Sequence, residues 1–240
     1  MQLDEKWSFV GKKQKRCDPD DAADWFRGDQ GDPVALDADS RLVLAVVVGK
    51  RLGTTAELLL ERLKGRLGGA APRLITSDGY PADEAALLAV FGREVTPPRT
   101  GRPGRPAGPR WEPPAGMCYG RVIQHQKRGR VERVETEVVF GERPAGAAVS
   151  TSYRERHNAT DRHRNGRKGR MTYRFSKDWA AHAAMTAFAL YSDNFCWAVR
   201  TLRTKDEQGR WQQRTPAMAA GLADQVWSLE EWLTLPAVQH

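Results

Sequence analysis

The spacing of apolar and polar residues predicts alternating strands and helices in the first part of the chain. Residues 3–10 repeat with a period of two, as a β-strand does. Residues 41–48 are almost purely aliphatic and β-branched, which favours a central strand buried on both faces. Thr54 and Glu57 have the spacing of a capping box, so we expect a helix to begin there. The predicted strands cover 3–10, 34–37, 41–48 and 72–76, and the predicted helices run from 53 and over 82–90.

The second part of the chain has a different composition. Residues 97–116 contain seven of the 14 prolines and four arginines, which predicts a flexible basic loop. Residues 119–140 alternate as a β-hairpin with a turn near Arg128. Helices are predicted over 150–163 and 178–202, and helix starts at Thr215-Pro216 and Ser228. We expect a core over 1–177, interrupted at about 97–143 by the basic loop and hairpin, and a helical extension over 178–240.

Charge is concentrated in the middle of the chain. The 240 residues carry a net charge of +8. Residues 97–174 hold 18 Lys and Arg against 7 Asp and Glu, an excess of +11. A concentrated basic region favours a polyanionic partner, although a solvated basic loop would have the same composition. No apolar stretch is long enough to span a bilayer, and the three scattered cysteines form no CxxC pair, so neither a membrane partner nor a zinc finger is expected.

Three carboxylates suggest a phosphodiester-cleaving site: Asp4, Asp78 and Glu155. Such chemistry uses two divalent metals about 4 Å apart, and Mg²⁺ prefers carboxylate oxygens and water. Each residue alone is a weak signal, because Asp78 before Gly79 is ordinary turn chemistry and the other two could be surface charge. Glu5 is adjacent to Asp4 and would face the site instead if the strand twisted the other way.

Four blocks of the sequence resemble the transposases of the insertion-sequence-one family. They are residues 3–11 (LDEKWSFVG), 75–81 (ITSDGYP), 151–158 (TSYRERHN) and 174–177 (RFSK), in the order of that family. The tail, at 191–195, 215–222 and 227–231, is similar to the long variant of the family.

The resemblance implies an α/β, RNase H-like fold with a mixed sheet flanked by helices, and a DDE triad at Asp4, Asp78 and Glu155. These residues would be catalytic and would hold two Mg²⁺ ions, with Mn²⁺ as a substitute. The family has a basic residue seven positions after the glutamate, here Arg162, and this spacing lies on one helical face. The residues expected to contact DNA are Arg162, His157, Asn158, Arg164, Arg167, Lys168 and Arg170, with His157 and Asn158 alternatively orienting Glu155 or forming a polar pair at the helix start.

The resemblance therefore implies a DNA transposase that cleaves insertion-sequence ends and transfers the strands into target DNA. It would act as a homo-oligomer on DNA, in the bacterial cytoplasm and associated with the nucleoid. The family commonly has a DNA-binding region before the catalytic domain, which for this chain would be encoded separately, or by a frameshifted upstream frame, or lost. Two alternatives stay open: a degenerate remnant that only binds DNA, and an RNase H-like nuclease or resolvase.

Overall fold

A six-stranded mixed sheet lies at the centre of the structure, which is a computed structural model that describes residues 1–97, 108–169 and 171–235. The strands are β1 (Gln2–Glu5), β2 (Ser8–Val10), β3 (Gly28–Gln30), β4 (Pro33–Leu36), β5 (Val43–Val46), β6 (Leu74–Ser77), β7 (Arg93–Val95), β8 (Arg110–Glu112), β9 (Cys118–Lys127), β10 (Arg130–Phe140), β11 (Thr204–Lys205) and β12 (Trp211–Gln212). The α-helices are α1 (Gly53–Arg66), α2 (Pro81–Phe91), α3 (Ser152–Arg164), α4 (Trp179–Cys196), α5 (Pro216–Ala219) and α6 (Leu229–Thr234).

The central sheet has the strand order β10-β9-β6-β1-β4-β5. Strand β4 is antiparallel to β1 and to β5, whereas β6 is parallel to β1 and to β9. The carboxyl ends of β1 and β6 therefore meet at one edge of the sheet. The prediction of an α/β protein with a mixed sheet flanked by helices is confirmed.

The two faces of the sheet bury different side chains. Helices α1 and α2 cover one face, where Leu60 and Leu87 pack with Leu3 and Ile75. Helices α3 and α4 lie on the other face, where Leu190 of α4 packs against the alternate residues of β4 and β5. The predicted C-terminal extension thus begins with a helix that belongs to the same core.

The strands differ from the predictions in two parts of the chain. Residues 3–10 form two strands rather than one, because β1 ends at Glu5 and β2 pairs with β3 in a separate sheet. The predicted hairpin β9–β10 is present and extends the central sheet, because β9 pairs with β6 along four residues. In the predicted loop over 97–116, Arg110–Glu112 forms a strand paired with β7, and residues 98–107 lie outside the described residues.

Helix ends follow the predictions in part. Ser228 and Glu231 form a capping box at α6, and Thr215 caps α5. The capping box predicted at Thr54 is wrong, because the N-cap is Leu52 and no side chain caps α1. Helix α4 ends at Cys196, six residues earlier than predicted. Over the described parts of the chain, no helix combines the length and apolar character needed to cross a membrane.

Candidate functional site

One face of β1 is joined to helix α3 by polar contacts. The alternation of the strand places every second side chain on this face, and the helix offers residues three and four apart on one side. On the other face of β1, Leu3 packs in the hydrophobic core. The polar side chains therefore lie between two rigid elements, strand β1 and helix α3. The contacts join Gln2 to the backbone of Arg154, Asp4 to Asn158, and Lys6 to Asp161.

Asp4 is a mostly buried carboxylate at the centre of this contact zone. Its Oδ1 accepts a hydrogen bond from the backbone N–H of Glu5 (2.7 Å), and its Oδ2 accepts one from the side-chain amide of Asn158. Burial raises the pKa of Asp4, and the charges of Asp78 and Glu155 raise it further, whereas Arg154 lowers it. Its partner Asn158 lies on α3, the helix that also carries Glu155.

Asp78 follows the last residue of β6, at the sheet edge where β1 also ends. Its side chain is exposed. Gly79 follows with φ +81°, a conformation that favours glycine and turns the chain into α2. Burial is the main reason that the pKa values of Asp4 and Glu5 are raised, and the negative charge of Asp78 raises both further. Asp78 lines one small cavity together with Asp4, Glu5 and Asp83.

Glu155 is in the first turn of α3 and is exposed. Its Oε1 accepts hydrogen bonds from Gln124 Nε2 of β9 and from Thr151 Oγ1, each at 3.0 Å. These contacts orient the carboxylate between the helix and the sheet. The same face of α3 carries Asn158, the partner of Asp4.

A second acidic group, which the sequence did not predict, lies on the opposite face of β1. Glu5 points to this side and forms an ion pair with Arg51, so the structure favours Asp4 over Glu5 for the α3 side. Burial raises the pKa of Glu5 to about 7, and the charge of Asp83 contributes. Asp83, in the first turn of α2, has its pKa raised to about 6 by burial and by Asp78. Its position five residues after Asp78 was the available signal.

These carboxylates have the donor chemistry of a divalent-cation site. All are oxygen ligands, which suit Mg²⁺. The pKa values of Asp4 and Asp83 are raised first by burial and then by neighbouring carboxylates, and a bound cation would lower them. Within the described ranges, however, no three Asp, Glu, His or Cys side chains are grouped closely enough to hold one ion. The residue types therefore suit a divalent cation, but the arrangement of the described side chains does not enclose one.

His157 and Asn158 are both engaged in contacts within the protein. Arg154 Nη1 donates to His157 Nδ1 (3.1 Å), so the neutral ring carries its hydrogen on Nε2, which lies 3.2 Å from Asp193 Oδ2. Burial lowers the pKa of His157 well below its ordinary value, which keeps the ring neutral. His157 thus joins α3 to α4, and the buried Asn158 orients Asp4 rather than Glu155.

Lys168 is also not available to phosphate, which corrects its predicted role. Its Nζ lies 2.7 Å from Asp32 Oδ2, and both side chains are fully buried. Asp32 also accepts hydrogen bonds from His182 Nε2 (2.9 Å) and from the backbone N–H of Gly49 (3.2 Å). Burial alone would raise the pKa of Asp32, but Lys168 and His182 outweigh it and hold the pKa at about 2. Lys168 is therefore a structural cation.

The remaining basic residues of this run lie in different surroundings. Arg162 is half-buried. Burial lowers the pKa of Arg154, and the positive charge of Arg162 lowers it further. Arg164 pairs with Asp193 but keeps about a third of its side chain exposed. Arg167 is half-buried. Arg170 lies outside the described residues.

Comparison of the chain with protein-family models, with curated proteins and with solved structures gives no match.

Proposed function

We propose that this chain is a DDE-type transposase of the insertion-sequence-one family, which cleaves DNA at the ends of an insertion sequence and joins them to target DNA. The observation that carries the proposal is the mostly buried carboxylate of Asp4, which is held by Asn158 of the helix that carries Glu155 and lies on the strand beside the one that Asp78 follows. Three distant sequence blocks supply these residues, and they are the residues that the family motifs select. A two-metal site needs several carboxylates close together, and these groups repel one another until cations are bound.

The topology supports an RNase H-like assignment of the sheet. Three antiparallel strands, β1, β4 and β5, are followed by the parallel strands β6 and β9. Asp4 lies near the end of the first strand of this sheet, and Asp78 directly after the fourth. Helix α3 then places Glu155 beside β9 through its hydrogen bond to Gln124.

The three carboxylates would hold two Mg²⁺ ions, or Mn²⁺ in their place. When bound, the ions supply an activated water or 3′-hydroxyl and stabilise the leaving oxygen. Asp78 and Glu155 are exposed, so their side chains have the freedom to turn towards the fixed Asp4. Glu155 would exchange its hydrogen bonds to Gln124 and Thr151 for the metal.

Other residues of the chain position these ligands and the DNA. Asn158 binds Oδ2 of Asp4 and leaves Oδ1 facing the backbone of Glu5, which fixes the orientation of the carboxylate. Arg154 is fully buried near Asp4 and offsets part of the acidic charge. Arg162, Arg164 and Arg167 would contact phosphates, with DNA and a homo-oligomeric assembly as partners.

Metal-dependent cleavage of DNA tests the proposal. The substrates are supercoiled plasmid and duplex carrying the inverted repeats that flank the coding region, with Mg²⁺ or Mn²⁺. Glu155→Gln and Asp78→Asn should abolish cleavage and leave DNA affinity unchanged or slightly higher, because a negative charge near phosphate is removed. Arg162→Ala should lower DNA affinity and rate without removing metal binding.

Glu132→Gln is the matched control, since Glu132 is an exposed glutamate on the hairpin. It should cleave as the parent does. If Glu155→Gln cleaved at the parent rate, Glu155 would not belong to the triad and the DDE assignment would fail.

One observation favours a second candidate, a DNA-binding remnant without catalysis. The described residues include no three metal-binding side chains in one group. The same assay separates the candidates: joined product indicates a transposase, cleavage without joining a nuclease, and binding alone a remnant.

A further inference from the structure

A groove of about 760 Å³ lies on the outer side of α3, away from the carboxylates. Tyr153, Arg156, Thr160 and Arg164 line it from the helix. At about 100° per residue, these positions fall on the opposite side of α3 from Glu155, Asn158 and Arg162. The segment that follows α4 forms the other wall, with Trp197, Arg200, Arg203 and Trp211.

The groove is strongly basic. Among the described residues, five arginines and a single carboxylate, Asp193, line it. Among the described residues, Arg164 is the one groove arginine that forms an ion pair with a carboxylate. The charges of the other four are therefore not offset by a neighbouring acid within the groove. Such an excess is complementary to a polyanion. The arginines are Arg41, Arg156, Arg164, Arg200 and Arg203.

Aromatic rings are interleaved with these arginines. Tyr153 and Trp197 are each 41% exposed and Trp211 is 54% exposed, although large aromatic side chains usually bury most of their surface. A guanidinium lies over each ring, 3.3 Å from the centroid for Arg41 on Tyr153 and 4.1 Å for Arg203 on Trp211. Arg164 covers Trp197 at 4.4 Å. Rings and guanidinium planes together provide flat surfaces on which bases stack.

We propose that this groove binds a single-stranded, unpaired segment of nucleic acid, with its bases on Tyr153, Trp197 and Trp211 and its phosphates on the arginines. The volume suits a ligand of nucleotide size. Duplex is a poorer occupant, because paired bases are stacked on one another and do not offer their faces. This inference extends the proposed function, since strand cleavage and transfer expose unpaired ends, and the groove shares α3 with the carboxylate site.

The test measures fluorescence anisotropy of a short labelled oligothymidylate in buffer with a chelator, where no metal-dependent cleavage occurs. Trp211→Ala should lower single-strand affinity about 5- to 150-fold, the loss expected for one base stacked on an aromatic side chain. Arg203→Ala should weaken binding and reduce the slope of log affinity against log salt by about 0.7. Trp211→Phe keeps a ring and should restore most of the affinity.

Matched controls lie outside the groove. Trp25→Ala removes a tryptophan that is 62% exposed, and Arg73→Ala removes an exposed arginine. Both should bind the oligonucleotide as the parent does. Glu155→Gln should also bind it normally, so that loss of cleavage and loss of groove binding are separate results.

Three results would overturn the groove assignment. The first is that Trp211→Ala and Arg203→Ala both bind the oligonucleotide with the parent affinity. The second is that the parent binds an abasic strand as tightly as oligothymidylate. The third is that these variants lose affinity for duplex and for single strand by the same factor. Stronger competition by an acidic peptide than by oligothymidylate would also overturn it, because the occupant would then be a protein segment. Absence of cleavage in the parent would refute the transposase proposal and leave the groove result standing.

Discussion

Replacement of Lys168 by alanine is expected to destabilise the fold and to leave the DNA affinity of the folded protein unchanged. Lys168 and Asp32 are both fully buried and lie 2.7 Å apart. Removing one partner of a buried pair leaves an uncompensated charge and costs about 3–5 kcal/mol. Asp32 keeps its hydrogen bonds from His182 and Gly49, so we expect the free energy of unfolding to fall by about 3 kcal/mol.

Urea unfolding followed by tryptophan fluorescence measures this loss, and a protein of this size should also lose about 6–12 °C in Tm. The neighbouring Arg167→Ala is the control, because Arg167 is half-buried and forms no ion pair with any of the described residues. It should stay within about 0.5 kcal/mol of the parent. The double variant Asp32→Asn with Lys168→Met should lose less than the sum of the single variants, because no charge remains unpaired.

The reasoning would be refuted if Lys168→Ala unfolded at the parent urea concentration and bound DNA more weakly. Lys168 would then be the phosphate ligand that its place in the basic run first suggested. Loss of stability in Arg167→Ala but not in Lys168→Ala would equally contradict the burial of the ion pair.

Two further predictions concern pH and the backbone. Because the folded pKa of Glu5 is about 7 against an ordinary 4.5, its contribution to stability is full below pH 4.5 and is lost as the pH rises through 7. The metal-free unfolding free energy should fall by about 1–2 kcal/mol over that window, because solvent screens part of the charge of Glu5. Glu5→Gln should flatten the profile, and a flat parent profile would contradict the burial of Glu5. Gly141→Ala should lower Tm more than Gly146→Ala, since both glycines have positive φ but only at Gly141 would a Cβ meet the backbone of Met117 and Cys118. Equal Tm values in a thermal scan would count against that contact.

The alternation in β1 shows how far local patterns determine the site. The sequence predicts Asp4 and Lys6 on one face and Leu3 on the other, and the structure has this arrangement. Side-chain direction in a strand depends only on the period of two, so it is available without tertiary information. The spacing of Asn158 on one side of α3 is equally local.

Tertiary packing decided what each polar residue does. Lys168 and Arg167 are adjacent in a basic run, yet only Lys168 meets Asp32, which is 136 positions earlier in the chain. The sequence predicts DNA contacts for His157 and Asn158. In the fold, His157 lies beside Asp193 of α4, and Asn158 donates a hydrogen bond to Asp4 of β1. A charge run in sequence does not show which members are buried, because burial depends on the elements that pack over it.

The same reason explains the two larger differences from prediction. The pattern of residues 119–140 predicts a hairpin correctly, but strand pairing with β6 is a long-range contact that no local pattern encodes. Asp83 and Arg51 came together with Glu5 only because α2 and the start of α1 pack on the same face of the sheet. The sequence by itself determined the types of the elements and the candidate carboxylates; only the tertiary structure decided their neighbours, since burial and electrostatic coupling arise between residues that are distant along the chain.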